Sequence, residues 1–295
     1  MKVRKRMIVL FLLPASILYL VFFLIPAVWA FYFSLFDWSG FAESRTFIGL
    51  GNFREILGDD LFWSSFKNTM RILFLGGVVT LGIAFIMTLL FSSKIRGKKF
   101  FRAVIFLPNV IATIALTTLW AFIYNPKFGL LTNFFKLLGF EDLSKILWTS
   151  QERIFYAMLV AMIWIEVGFM AILLLAGADK IPFDFYDAAK IEGANALQMF
   201  IHLTIPLMWD VITIAFVFWS IWALKVFEFP YAFYGIDTPT EIYTVGIYLY
   251  IVGFGKRAPI YRLGYATAIG VVLLLFVIVV VVALRRMMRR EVYQY

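Results

Sequence analysis

The chain has 295 residues, 63% of them hydrophobic and 15% charged, with a mean hydropathy of +0.91. Soluble domains are about half apolar and a quarter charged, and their cores do not absorb uninterrupted apolar runs of about twenty residues, so the chain reads as integral to a membrane. The net charge of +9 comes from Lys and Arg beside apolar runs, the habit of polytopic membrane proteins rather than of nucleic-acid binders, and the absence of Cys excludes disulfides, thiolate metal sites and cysteine nucleophiles.

Six apolar segments are each long enough to cross a hydrocarbon core of about 30 Å as a helix. The first, 7–33, follows the basic start MKVRKR. It outruns the apolar part of a cleavable signal and no A-x-A site follows, so it reads as a retained membrane helix. The second and third are 69–91 and 104–124. The fourth, 154–176, carries Glu166 near its middle, with Trp164 two residues before it and Phe169 three after. A carboxyl there is costly unless protonated, paired or facing water; Glu166 is either a pathway group that accepts hydrogen bonds from hydroxyls or an interhelical contact.

The fifth segment, 206–224, sets Trp219 and Trp222 one turn apart on a shared face. Aromatic rings stack on the CH faces of sugars, although Trp at this spacing also serves packing or faces lipid. Lys225 and Glu228 then have the spacing of a helical ion pair. The sixth, 263–284, is free of charge. None of the runs alternates as barrel strands do, so the fold class is all-α: a polytopic membrane protein of six transmembrane helices in a single domain, 1–295.

Orientation follows from Lys and Arg. With both termini cytoplasmic, the inner pieces 1–6, 92–103, 177–205 and 285–295 hold fifteen of them in 58 residues, against eleven in the 102 residues of the outer loops 34–68, 125–153 and 225–262. The excess places both ends in the cytoplasm. The bridge between the fourth and fifth spans, 181–205, then faces the cytoplasm too.

That bridge, IPFDFYDAAKIEGANALQMFIHLTI, is too polar to cross lipid. Ile181-Pro182 stops the fourth span. Asp184 is an N-cap candidate with Asp187 three residues on, for a helix over 185–192. Gly193 suits the left-handed turn that ends it. Asn195 with Gln198 makes a second capping box for a helix to about Thr204, and Pro206 opens the fifth span. The bridge is therefore two short helices hinged at Gly193-Ala194. Ala188 and Ala189 present almost no side chain, Asp187 and Glu192 are acidic, and Phe185, Tyr186, Leu197, Met199 and Phe200 are apolar anchors. The alternative is an amphipathic segment lying on lipid. His202 is the sole histidine, and no metal-ligand spacing is present.

The order Asp187-Ala188-Ala189, three residues, Gly193, then Phe200, Leu203 and Ile205-Pro206 resembles the EAA loop of bacterial ABC importer permeases, with Asp in place of the commoner Glu. The resemblance covers nearly the whole chain, through FLLPASILYLVFFLIPAVWAFYFSLFDW, FIGLGNFREIL, SSKIRGKKFFRAVIFLPNVI, YNPKFGLLTNFF and AGADKIPFDFYDAA. Specifically it is similar to the sugar and glycerol-phosphate permeases of the maltose-permease type. A Gly-Gly-Pro stretch often follows the fifth helix in that family; YGIDTPTEIY stands there instead.

This resemblance implies the type I ABC importer permease fold and a binding-protein-dependent importer of a sugar or related carbohydrate in a bacterial or archaeal cell membrane, working by alternating access. It implies as partners a second homologous permease subunit, two ATPase subunits and an extracytoplasmic solute-binding protein. It assigns coupling to the ATPase to Asp187, Ala188, Ala189, Glu192, Gly193 and Ala194, and a substrate pathway to positions near Ile111, Ala115, Trp164, Glu166, Phe169, Trp219 and Trp222. No G-x-x-x-x-G-K-[ST] stretch occurs, so the chain is expected to be no enzyme and to hold no cofactor, ATP and Mg being bound by the partner subunits. The rival readings are a glycerol-phosphate importer, a proton-driven secondary transporter with Glu166 as carrier, and an intramembrane enzyme, for which Glu166, Asp210 and Glu228 are too scattered.

Overall fold

A computed structural model describes residues 5–41, 43–92, 97–258 and 260–289. Lys2, Arg4, Lys94, Arg96 and Arg290, which contribute to the orientation argument, lie outside them. The principal helices in chain order are α1 (Val9–Phe33), α2 (Asp60–Phe91), α3 (Lys98–Val110), α4 (Thr113–Ile123), α5 (Ile154–Ala178), α6 (Phe183–Ile191), α7 (Ala196–Leu207), α8 (Trp209–Lys225), α9 (Val245–Phe254) and α10 (Leu263–Met287). Five helices are long and apolar enough to cross a membrane, and a sixth span arises if the bent pair α3–α4 counts as one. The chain divides into two compact units.

The first unit joins Met1–Phe62 to Gly246–Leu275. The apolar window of α1 buries none of its residues within the chain. After α1 a short antiparallel hairpin pairs β1 (Phe36–Asp37) with β2 (Thr46–Phe47). Buried Asn52 donates to the carbonyls of Ser34 at 2.8 Å and Phe36 at 2.9 Å, tying the hairpin to the Gly51–Leu57 helix. Asp59 Oδ1 accepts from the N–H groups of Leu61 at 2.9 Å and Phe62 at 3.1 Å, capping α2. Its other oxygen accepts from the hydroxyls of Tyr248 and Tyr265.

The second unit is Trp63–Val245 with Phe276–Tyr295. Its centre is α5, most of whose residues are buried. Gly168 lets α3 approach very closely: a Cβ there would lie 2.2 Å from the Ile105 carbonyl oxygen. Asn109 reinforces the contact by donating to the Ile165 carbonyl at 2.6 Å. On the other side Trp219 of α8 lies against Gly76 and Gly77 and donates its indole N–H to the Leu73 carbonyl at 2.8 Å.

Several boundaries differ from the hydropathy reading. The second span begins near residue 60 rather than 69, because the Asp59 cap starts a helix whose first turns are polar. The apolar stretch 104–124 is not one rod. It breaks at Ile111 and Ala112, both extended (ψ 137° and 139°), and its halves meet at 99°. Pro108 weakens the last turn of α3 by removing an N–H and crowding the preceding turn. The region 225–262, read as an outer loop, contains apolar α9, too short at ten residues to cross. Pro182, not Asp184, occupies the N-cap of α6, and Asp184 lies within the first turn. Lys225 and Glu228 form no ion pair among the described residues. Helix α8 ends at Lys225 and Val226 turns extended, which removes the expected one-turn geometry.

Candidate functional site

The bridge 181–205 folds as two short helices, its Gly193 turn and Asn195 cap as expected. Helix α6 carries Asp187, Ala188 and Ala189, and Glu192 follows its last turn. Gly193 has φ +83°, its N–H bonds the Lys190 carbonyl at 3.0 Å, and the N–H of Ala194 bonds the Ala189 carbonyl at 3.0 Å. This is the glycine-dependent helix ending in which two successive N–H groups reach back to carbonyls three and five residues earlier. Asn195 then opens α7 with a reciprocal capping box, each bond to Gln198 being 2.9 Å. Asp187 pairs with Lys190 at 2.8 Å, both exposed, so the pair adds little stability. Phe183 and Ile191 are exposed as well, Ile191 at 88%. Ile191 carried no signal in the sequence, where its neighbours drew attention by order alone.

Within the apolar part of the second unit lies a cavity of about 460 Å³. It is bounded by the α3–α4 break, the middle of α5 and the C-terminal half of α8. Glu166, Trp222 and Ile111 line it, as do Asn109, Phe218, Lys225 and Glu228. Glu166 is 9% exposed, and no hydrogen bond or ion pair reaches it among the described residues. A buried carboxyl without a partner is held at a cost that protonation, water or a ligand must relieve. Lys225 and Glu228 are exposed at the rim. The cavity therefore offers an acidic acceptor, an amide, a cation and an indole face to one occupant.

The other expected pathway residues separate. Trp164 lines a different, apolar groove of about 600 Å³, which Ile111 also borders. Trp219 borders a third groove of about 410 Å³, is 2% exposed and has its N–H bonded, so it packs helices together although its ring centroid lies 5.1 Å from that of Trp222. Phe169 meets Phe218 edge-on at 6.0 Å, behind the cavity wall. Ala115 is exposed on α4, and neither it nor Phe169 lines any of the three cavities. Asn109, Phe218 and Lys225 were not among the expected pathway residues. Their roles depend on the α3–α4 break and the end of α8, which hydropathy does not mark.

No family model matches the chain. It is 33% identical over 268 residues to a probable ABC transporter permease protein of Pyrococcus horikoshii, covering 90% of each chain. It is 32% identical over 229 residues to the trehalose/maltose transport system permease protein MalF of Thermococcus litoralis, covering 77% of this chain and 76% of that one. The fold is that of a chain in the crystal structure of a bacterial alginate ABC transporter in complex with an alginate pentasaccharide-bound periplasmic protein, with a TM-score of 0.83 at 22% identity over 97% of this chain and 95% of that one. On the strength of these relationships, the chain belongs to the family of ABC transporter permeases, as a multi-pass membrane subunit.

Proposed function

We propose that this chain conducts a sugar or related carbohydrate across the cell membrane as one permease subunit of an ATP-driven, binding-protein-dependent importer. The observation that carries the reading is Glu166, buried, without a partner among the described residues, and lining a cavity that Asn109 and Trp222 also line. A sugar satisfies such a lining from both sides: its hydroxyls donate to the carboxyl and its CH face stacks on the indole. The MalF relative supports a sugar cargo.

The chain makes no covalent bond. It alternates between cavities open to either side, and the two packings are biased by nucleotide bound elsewhere. Two separate ATPase subunits hold ATP and Mg, and one of them seats on α6, where Ala188 and Ala189 permit close approach and Asp187, Glu192 and Gly193-Ala194 shape the rim. A second homologous permease completes the pore, an extracytoplasmic binding protein delivers cargo, and both termini lie in the cytoplasm. The periplasmic protein bound by the alginate transporter supports that delivery step.

The test is reconstitution of the purified complex in liposomes, with maltose and trehalose as labelled probes. Uptake is expected to need both ATP and the binding protein, and Glu166→Ala is expected to lower it more than Glu166→Gln, which keeps an acceptor oxygen. Uptake driven by a proton gradient without ATP overturns the reading.

A further inference from the structure

Asp179 closes the C-terminus of α5, where its N–H bonds the Leu175 and Gly177 carbonyls. A carboxylate is locally misplaced there, because the end of a helix carries partial negative charge. Two cations from another helix compensate. Lys98 Nζ lies 3.1 Å from Oδ1 and Arg102 Nη2 lies 2.7 Å from Oδ2. Lys98 and Arg102 are one turn apart on α3, so each carboxylate oxygen takes one cation from the same helical face. Burial raises the carboxyl's pKa, but the hydrogen bonds from Arg102 and Lys98 outweigh it, and the group is held below the ordinary carboxylate range. The Nε of Arg102 is buried without a partner among the described residues.

The position of this clamp decides its consequence. On one side, Asp179 is four residues from the first residue of α6, through buried Ile181 and the Pro182 cap. On the other side, α3 runs from the clamp to the cavity. It is locked to α5 by the Gly168–Ile105 approach and the Asn109 bond, and it ends at Ile111, where the span breaks. The segment that carries α6 thus reaches the cavity wall by two routes, through α5 itself, which carries Glu166, and through this ionic contact to α3, which ends at the break.

We infer that Asp179, Lys98 and Arg102 are positioning residues that transmit displacement of α6 to the α3–α4 break, so that motor and cavity move together. The inference rests on the reading that α6 seats an ATPase subunit. A transmission of this kind is a coupling free energy between two sites, and removing the clamp weakens the share carried by α3 without abolishing either motion.

The chain has no cysteine, so Thr113→Cys and Ile221→Cys, both on the cavity wall, accept a pair of spin labels in the assembled transporter. In the unaltered background the label distance responds to ATP plus Mg. With Asp179→Asn, the ATPase subunits are expected to bind and hydrolyse ATP while the amplitude of that response falls about fivefold. Lys98→Gln, which spares the Arg102 contact, gives a smaller loss. Charge reversal, Asp179→Arg with Lys98→Glu and Arg102→Glu, restores the response. The inference is overturned if Asp179→Asn leaves the response intact, if ATPase binding falls in parallel with it, or if charge reversal restores nothing. If the labelled but otherwise unaltered complex neither binds ATPase subunits nor responds to ATP, the underlying reading fails first and takes the inference with it.

Discussion

The Tyr186 hydroxyl lies 3.0 Å from the Thr204 hydroxyl, a contact that closes the bridge 181–205 across its bend. Tyr186 belongs to α6, and Thr204 is 1% exposed in the π turn Phe200–Thr204 within α7. The angle between the two short helices is therefore fixed from both sides, by the Gly193 turn and by this bond. Tyr186→Phe keeps the ring and removes the bond. A loss of about 1 kcal/mol is expected, read as a lower midpoint of thermal unfolding and weaker co-purification of the ATPase subunits.

Gly193 separates folding from docking. Its φ of +83° disfavours any side chain, yet a Cβ there meets nothing within 4 Å. Gly193→Ala is expected to cost about 1 kcal/mol through the backbone alone. Gly193→Trp starts from the same open Cβ position, and its extra effect is expected in association with the ATPase. Equal association for the Ala and Trp variants, measured by pull-down, contradicts the seating of a partner on this bend.

Trp219 and Trp222 differ in role despite their shared face. Trp219→Ala removes a buried ring and leaves the Leu73 carbonyl without its indole donor; a loss of roughly 3–5 kcal/mol is expected, visible as reduced yield of folded protein. Trp222→Ala is expected to leave yield near normal and to lower uptake of the labelled sugar. The opposite pattern would assign the cargo face to Trp219.

Gly168→Ala forces a Cβ toward the Ile105 carbonyl, which is backbone and does not give way easily. A destabilisation of roughly 1–3 kcal/mol is expected. Asn109→Ala removes the neighbouring bond between the same two helices, and the two changes together are expected to be non-additive in a double-mutant cycle.

Asp59 supplies a pH signature outside the spans. Burial raises its pKa, but hydrogen bonds from Tyr248 and Tyr265 and from the N–H groups of Phe62 and Leu61 outweigh burial and hold it below the ordinary carboxylate value. A lowered folded-state pKa gives stability that is complete above the unfolded value and is lost as pH falls through the folded one. Thermal stability should therefore be insensitive to this group from neutral pH to about 5 and decline only below about 4. Asp59→Asn should remove that acid limb from the difference curve.

The chain's letters alone established what is decided within a turn or by a run of like residues. Apolar stretches near twenty residues long require membrane helices because lipid offers the backbone no other partner. Gly193 and the Asn195–Gln198 box set the bridge because caps are local bonds. The order of Asp187, Ala188, Ala189 and Gly193 sufficed for the family resemblance. Tertiary structure decided the rest. The α3–α4 break, the divergence of Trp219 from Trp222, the isolation of Glu166 and the Asp179 clamp rest on contacts such as Asn109–Ile165, Arg102–Asp179 and Leu73–Trp219, which join residues 56, 77 and 146 positions apart. No local pattern encodes which distant carbonyl or cation a side chain will meet; that follows only when close packing brings the helices together and buried polar groups take the partners they find.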